Sequence, residues 1–116
     1  MTEYTDGKTT VSADVLTTIA RLAALDVPGV SRLALVSGGV NRFFKPGKAD
    51  GIRIETEDNV VTVDLHLILL QDVNIREVSR NVQQQVARSI QEMVGMDVAA
   101  VNVHIEDIDY PSGEAE

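Results

Sequence analysis

Three segments with different hydrophobic periods follow one another in residues 60–108, VVTVDLHLILLQDVNIREVSRNVQQQVARSIQEMVGMDVAAVNVHIEDI. Apolar and polar residues alternate in Val60–Leu70 and again in Val98–Ile108, as in β-strands with one buried face. Between them apolar residues recur at helical spacing, and Gly95 is suited to end that helix. The predicted stripe of the helix is Ile75, Val78, Val82, Val86, Ile90 and Met93. The stretch therefore predicts a β-α-β unit with parallel strands, and Asp72 or Asn74 caps the helix.

The residues before Val60 predict a first helix, a short strand and a β-hairpin. Ser12 is a good N-cap, and Pro28-Gly29 ends the helix that Ser12 begins. The predicted apolar face of this helix consists of Val15, Leu16, Ile19, Leu22 and Ala23. A short strand follows at Val30, Leu33 and Leu35, although its alternation is imperfect. The hairpin begins at Gly51, and its turn is Glu57-Asp58-Asn59.

The element order is therefore α-β-β-β-α-β. Both helices carry an apolar face that has to be buried, whereas the strands alternate, so both helices are expected on the same face of the sheet. We predict an α+β fold, a two-layer sandwich in which a mixed β-sheet has two main helices on one face. The opposite sheet face is then polar, and it carries Arg53, Glu55, Asp64, His66, His104 and Glu106.

The chain of 116 residues has the length of one domain. We predict a flexible N-terminal lead-in at residues 1–10, a single α/β domain at residues 11–110 and an acidic disordered tail at residues 111–116. The longest strongly apolar run is Leu67–Leu70, far below the roughly 20 residues of a membrane span, and the N-terminus lacks the order of a signal peptide. These features predict a cytoplasmic protein without a direct membrane span.

Composition argues against several kinds of chemistry. The chain has no cysteine, which excludes disulfides, thiol nucleophiles and thiolate metal sites. Its formal net charge of -8 repels phosphate backbones, which makes nucleic acid an unfavourable partner. Neither a dinucleotide-binding nor a P-loop glycine pattern is present. We therefore expect no enzymatic activity and no cofactor.

A local reversal of charge lies in the glycine-bracketed middle of the chain. Here Arg42, Lys45 and Lys48 accompany Phe43 and Phe44, the only two phenylalanines. One interpretation is that the rings cover the core beneath a loop. The alternative is a docking segment, in which phenylalanine inserts into a partner and the cations steer it towards an acidic surface or a membrane interface.

The long helix carries a second basic feature, with Arg76, Arg80 and Arg88 at four- and eight-residue spacing on its polar side. Such a stripe is often only a solvated face. Its functional alternative is contact with an acidic partner, acidic lipid or RNA, and RNA is disfavoured because neither a GXXG clamp nor stacking aromatics are present. We take these three arginines and the Arg42–Lys48 segment as the candidate partner-binding residues.

The polar face also brings a weak metal candidate. If the two long strands are neighbours, His66 and His104 approach each other, flanked by Asp64 and Glu106. Two imidazoles and two carboxylates are ligands that zinc or iron accepts. Their spacing matches no metal motif, so a solvated face of a half-buried sheet is the simpler interpretation and no metal site is predicted.

Sequence motifs along nearly the whole chain resemble one bacterial family. Gly7-Lys8 leads into Val11-Ser12, and Val27-Pro28-Gly29-Val30 stands before the first strand. The strand at Val60–Leu70, the helix with Val82-Gln83 and Val86, and the segment Val101-Asn102-Val103-His104-Ile105-Glu106 with its Ile108 follow in the same order. Together they resemble the alkaline shock protein family, also called Gls-type envelope stress response proteins, over about Gly7 to Ile108.

The resemblance implies a small, cytoplasmic, non-enzymatic stress-response protein that self-associates and supports homeostasis of the bacterial cell envelope as a scaffold or adaptor. Some members are held at the membrane by a separate membrane-spanning protein, which implies a protein partner and a peripheral location. Others are linked to fatty-acid synthesis, so a cytosolic regulator of lipid metabolism is an alternative function. A metal-binding protein that uses His66 and His104 is the other alternative.

Overall fold

The computed structural model describes residue 7, residues 9–34 and residues 51–110. Its elements in chain order are α1 (Ala13–Leu25), β1 (Val30–Leu33), β2 (Ile52–Glu57), β3 (Val60–Leu70), α2 (Ile75–Val94) and β4 (Asp97–Asp109). This is the predicted α-β-β-β-α-β order. The predicted lead-in lies outside the described residues except for residues 7, 9 and 10, and so do the Arg42–Lys48 segment and the tail at residues 111–116.

The central strand of the mixed sheet is β3. It pairs antiparallel with β1 and β2 and parallel with β4, as the β-α-β unit predicts. The side chains of β3 that point towards the helices are fully buried, and they are Val61, Val63, Leu65, Leu67 and Leu69. Helix α1 packs over β1 and β2, α2 packs over β4, and the two helices contact each other. The result is the predicted two-layer sandwich with one hydrophobic core.

Strands β1 and β2 share one edge of β3, because β4 occupies the other edge along the whole strand. The two strands meet opposite His66. The N–H of Ala34 donates to the carbonyl oxygen of His66 at 2.8 Å, and the N–H of His66 donates to the carbonyl oxygen of Gly51 at 2.8 Å. In an uninterrupted antiparallel strand these two bonds belong to a single residue. Ala34 and Gly51 together thus do the work of one residue, and residues 35–50 are an insertion at that point.

Three β-bulges explain why strict alternation fails in β1 and β4. In β4 the register skips Ala99 and Glu106, and in β1 it skips Ser31. Each extra residue reverses the order of faces along its strand. As a result Val98 and Ile108 pack against the core, although alternation counted from Val101 puts both on the polar face.

The first helix confirms its predicted boundaries but not all of its predicted core face. The Ser12 hydroxyl accepts a hydrogen bond from the N–H of Val15, and the helix ends at Leu25. Its buried residues are Leu16, Ile19, Ala20, Ala23 and Ala24. The prediction was wrong for Val15 and Leu22, which are 46% and 58% exposed. At about 100° per residue both lie roughly 140° or more from Ala20, so they point away from the sheet.

The second helix buries the middle of its predicted stripe, Val78, Val82, Val86 and Ile90. The prediction was wrong for the two ends, because Ile75 is 46% and Met93 is 69% exposed. Helix α1 has 13 residues and α2 has 20, so the shorter helix cannot cover both ends of the longer one. Asn74 is the N-cap, and Gly95 ends the helix with a φ of 76°.

Candidate functional site

The polar face of the sheet is centred on two histidines. His66 of β3 stands opposite His104 of β4 in the parallel register. Their rings stack with centroids 4.6 Å apart and an interplanar angle of 16°. The prediction that these two side chains approach each other is confirmed, since it required only that β3 and β4 be neighbours.

Each histidine has a carboxylate beside it. The Nδ1 atom of His66 lies 2.7 Å from Oε2 of Glu106, a hydrogen bond in which the ring N–H donates. The Nε2 atom of His104 lies 3.6 Å from Oδ1 of Asp64, and that oxygen also accepts a hydrogen bond of 3.0 Å from the amide of Asn102. The bulge that inserts Glu106 sets its place next to His66, and Asn102 is a member of the site that sequence reasoning did not single out.

The arrangement of this site is unfavourable for a metal ion. Imidazole nitrogens bind metals along directions in the ring plane, and two nearly parallel stacked rings direct those lone pairs into separate planes. In addition, Nδ1 of His66 is already engaged with Glu106. Within residues 9–34 and 51–110, no group of three or more histidine, aspartate or glutamate side chains is arranged to hold a metal.

The rest of the polar face is acidic and solvated. Its arginines have acidic neighbours: Arg53 lies 3.5 Å from Glu55, and Arg32 lies 3.8 Å from Asp109. The hydroxyl of Ser31 also donates to Asp109, at 2.5 Å. These exposed ion pairs each contribute at most about 1 kcal/mol. A shallow cavity of about 690 Å³ at the hairpin end is lined by Glu55, Thr56, Glu57, Asp58, Val60, Thr62 and Ala99.

The arginines of α2 lie on the other side of the molecule, in the helical layer. Arg76, Arg80 and Arg88 are all exposed, and none forms an ion pair with another residue of the described part of the chain. Arg88 lines a groove of about 340 Å³ between the end of α1 and the middle of α2, together with Asp26, Val27, Pro28, Asn81, Gln84 and Gln85. The histidine site and the arginine stripe are therefore separate surfaces.

The Arg42, Phe43, Phe44, Lys45 and Lys48 candidates lie outside the described residues. What the structure shows is where their segment begins and ends, at Ala34 and Gly51 opposite His66. A surface that sequence reasoning missed is the outer side of α1, where Val15, Leu22 and Leu25 are exposed. The apolar spacing of these residues was read as part of the core face, since periodicity alone does not tell which part of a broad apolar stripe faces the sheet.

The fold and its surfaces define a class, a small α+β module whose described surfaces are suited to binding rather than to an evident reaction. The chain belongs to the ASP23 family, the alkaline shock proteins, whose description is a cell envelope-related function; the family model matches residues 1–110. This confirms the family resemblance found in the sequence.

Two relatives cover most of the chain. The uncharacterized protein Spy1535 of Streptococcus pyogenes is 33% identical over 108 residues, which are 92% of this chain and 82% of that protein. The uncharacterized protein YqhY of Bacillus subtilis is 27% identical over 106 residues, which are 90% of this chain and 78% of that protein. The similarity therefore extends over the whole domain and is not confined to one motif.

A solved structure with a similar fold is MamM-CTD 215-293, with a TM-score of 0.53 and 11% sequence identity. The match covers 83% of this chain and 99% of that one. At this identity the likeness shows a shared fold alone. Neither helix of the described chain is long and apolar enough to cross a membrane.

Proposed function

We propose that this chain is a non-enzymatic scaffold or adaptor of bacterial cell-envelope homeostasis, which self-associates in the cytoplasm and reaches the membrane through a membrane-anchored protein partner. The family's cell envelope-related description supports the general role. The finer role is supported by surfaces suited to protein contact, the insertion at residues 35–50 and the arginines of α2.

The observation that carries this proposal is the interrupted edge strand. Because Ala34 and Gly51 satisfy both backbone hydrogen bonds of His66, the sheet is complete without residues 35–50. A segment that the sheet does not require is free to serve recognition, as loops on rigid scaffolds commonly do. In this chain that segment contains Arg42, Phe43, Phe44, Lys45 and Lys48, the residue types that anchor and steer protein contacts.

The arginines of α2 supply a second contact surface of the same sign. Arg76, Arg80 and Arg88 form a local basic stripe on a chain whose net charge is -8. A local basic stripe on an acidic protein orients an acidic partner, because the rest of the surface repels it. We therefore expect a partner with an acidic contact face.

The proposal is tested by capturing the protein from gently solubilised native cells after cross-linking, followed by mass spectrometry of the membrane and soluble fractions. The wild type is expected to recover a membrane-spanning protein, and Phe43→Ser with Phe44→Ser is expected to lose it. Arg53→Ser removes a cation from the opposite face and serves as the matched control. If the folded double variant keeps both partner capture and self-association, the docking role of the segment is wrong. Recovery of metabolic enzymes in the soluble fraction favours the regulator of lipid metabolism instead.

The metal-binding alternative has its own test. Protein purified without chelator is expected to contain substoichiometric zinc, iron and manganese by elemental analysis. One equivalent of a metal that is lost in His66→Ala with His104→Ala contradicts this expectation and makes the polar face a metal site.

A further inference from the structure

Helix α1 carries a second apolar row on the side that faces away from the sheet. We call Val15, Thr18, Leu22 and Leu25 the α1 seam. All four are exposed, with Val15 at 46%, Leu22 at 58% and Leu25 at 39%. Their spacing of three, four and three residues is that of the contact positions in a helix that packs against another helix.

The α1 seam is not part of the core. The buried residues of α1 include Leu16, Ala20 and Ala24, and at about 100° per residue they lie on the opposite side of the helix. A single exposed leucine is common on soluble proteins, but a continuous apolar row on one helix is a frequent mark of an interaction site.

We propose that the α1 seam docks against the α1 seam of a second copy of this chain, with the two helices antiparallel about a two-fold axis. This inference rests on the proposed self-association and assigns it a surface. The spacing reads the same from both ends of the helix, so it is self-complementary under such an axis. Val15 then faces Leu25 of the second copy, and the small Thr18 faces the large Leu22 of the second copy.

The charges beside the seam fit the same arrangement. Asp14 and Arg21 lie on one flank of the seam, seven residues apart, and neither forms an ion pair with another residue of the described ranges. Antiparallel docking brings Asp14 of each copy within reach of the long Arg21 side chain of the other, which gives two equivalent pairs of opposite charge. The antiparallel arrangement also opposes the two helix dipoles favourably.

The seam is short, since Val15 and Leu25 are about 15 Å apart along the helix. An interface of this size falls at the small end of protein contacts, so the dimer is expected to be weak and concentration-dependent. Sedimentation velocity at increasing protein concentration measures its dissociation constant. Leu22→Glu is expected to raise that constant by about tenfold or more, because it places a charge in the seam. Met93→Glu changes an equally exposed apolar residue outside the seam and is expected to leave it unchanged.

A charge exchange tests the pairing without altering the apolar row. Arg21→Asp is expected to weaken the dimer, because Asp14 of one copy then faces an aspartate. Adding Asp14→Arg is expected to restore the dissociation constant towards that of the wild type, since the two charges have only changed places. Far-UV circular dichroism checks that α1 stays folded. A single variant that weakens the dimer without rescue by the second contradicts the antiparallel pairing.

The natural absence of cysteine permits a direct test of orientation. In a mixture of Val15→Cys and Leu25→Cys chains, the antiparallel dimer brings the two thiols together and forms a disulfide between the two variants under mild oxidation. Each variant alone is expected to form almost none, because its two cysteines are about 15 Å apart along the helix axis. Efficient linkage of Val15→Cys to itself shows a parallel pair and overturns the proposal.

Two further outcomes overturn the assignment in distinguishable ways. If the protein forms oligomers that Leu22→Glu and Arg21→Asp leave unchanged, the seam is not their interface, while the proposed self-association stands. If the wild type is a monomer at every concentration and Leu22→Glu lowers its melting temperature, a segment of the same chain covers the seam. In that case both the seam dimer and the proposed self-association are wrong.

Discussion

At the scale of single residues, His66 is where the edge strand, the central strand and β4 meet. Its backbone completes the junction between Ala34 and Gly51, while its ring stacks on His104 and bonds to Glu106. Alternation along the strands predicted the pair of histidines, because it places both on the polar face. The contact with Glu106 also depends on a bulge, which adds a residue without leaving a signature that one sequence reveals.

The junction makes a specific demand on Gly51. Its φ is +85°, and an added Cβ lies 2.6 Å from the carbonyl oxygen of Ala34 and 3.2 Å from Cβ of Leu33. We expect Gly51→Ala to lower the free energy of unfolding by about 2 to 4 kcal/mol, from backbone strain together with a clash against main chain. Gly95→Ala is the matched control, since its φ is +76° and no atom lies within 4 Å of the added Cβ. The control is expected to cost about 1 kcal/mol in urea unfolding, and equal losses contradict the close approach at Gly51.

The hydrogen bond between His66 and Glu106 is expected to matter little for stability. The side chains of the two residues are 25% and 45% exposed, so water screens their interaction. A double-mutant cycle with His66→Ala and Glu106→Gln should give a coupling energy below about 1 kcal/mol in chemical unfolding. A coupling well above this value identifies the pair as a structural anchor and contradicts the description of a solvated polar face.

At the scale of elements, the features that depend on local sequence were predictable. The caps at Ser12 and Asn74, the stop at Gly95 and the hairpin turn through Asp58 and Asn59 all lie where their residue types predict. The bulges and the orientation of α1 were not predictable in the same way. Both depend on which of two apolar rows finds a partner across the core, which is a property of tertiary packing.

The stripe of α2 offers a matched comparison between a buried and an exposed position. Ile90 is fully buried and Met93 is 69% exposed, although the two occupy the same side of the helix three residues apart. Ile90→Ala is expected to lower the free energy of unfolding by about 2 to 5 kcal/mol, because it leaves a cavity in the core. Met93→Ala is expected to change it by less than about 0.5 kcal/mol. Similar losses in thermal or urea unfolding contradict the end of the core at Ile90.

At the scale of the whole molecule, the candidate contact surfaces fall in three places: the polar sheet face, the outer side of the helical layer and the insertion at residues 35–50. The arginines of α2 and the acidic sheet face followed from charge periodicity. The α1 seam did not, because its residues are apolar and were assigned to the core. Net charge and composition excluded general nucleic-acid binding and thiol chemistry as expectations, but they carry no information on which surface meets a partner.

The interrupted edge strand predicts that the fold survives without its insertion. Joining Ala34 directly to Ile52 removes residues 35–51 and lets Ala34 supply both backbone groups opposite His66. This keeps Leu33 and Ile52 on the core face, since one residue separates them in both forms. The shortened protein is expected to unfold cooperatively with a melting temperature equal to or slightly above that of the full chain, because a long loop no longer has to be closed. Loss of cooperative thermal unfolding shows that the insertion is part of the core.

The central claim is that the chain is a self-associating module, and its molar mass in solution tests this most directly. Sedimentation equilibrium of the purified full chain, over a wide range of concentration, should show a molar mass that rises from the monomer value of 12.6 kDa towards that of a dimer or larger assembly. The rise should be reversible on dilution, as mass action requires. A molar mass that stays at 12.6 kDa up to the highest concentration contradicts the account.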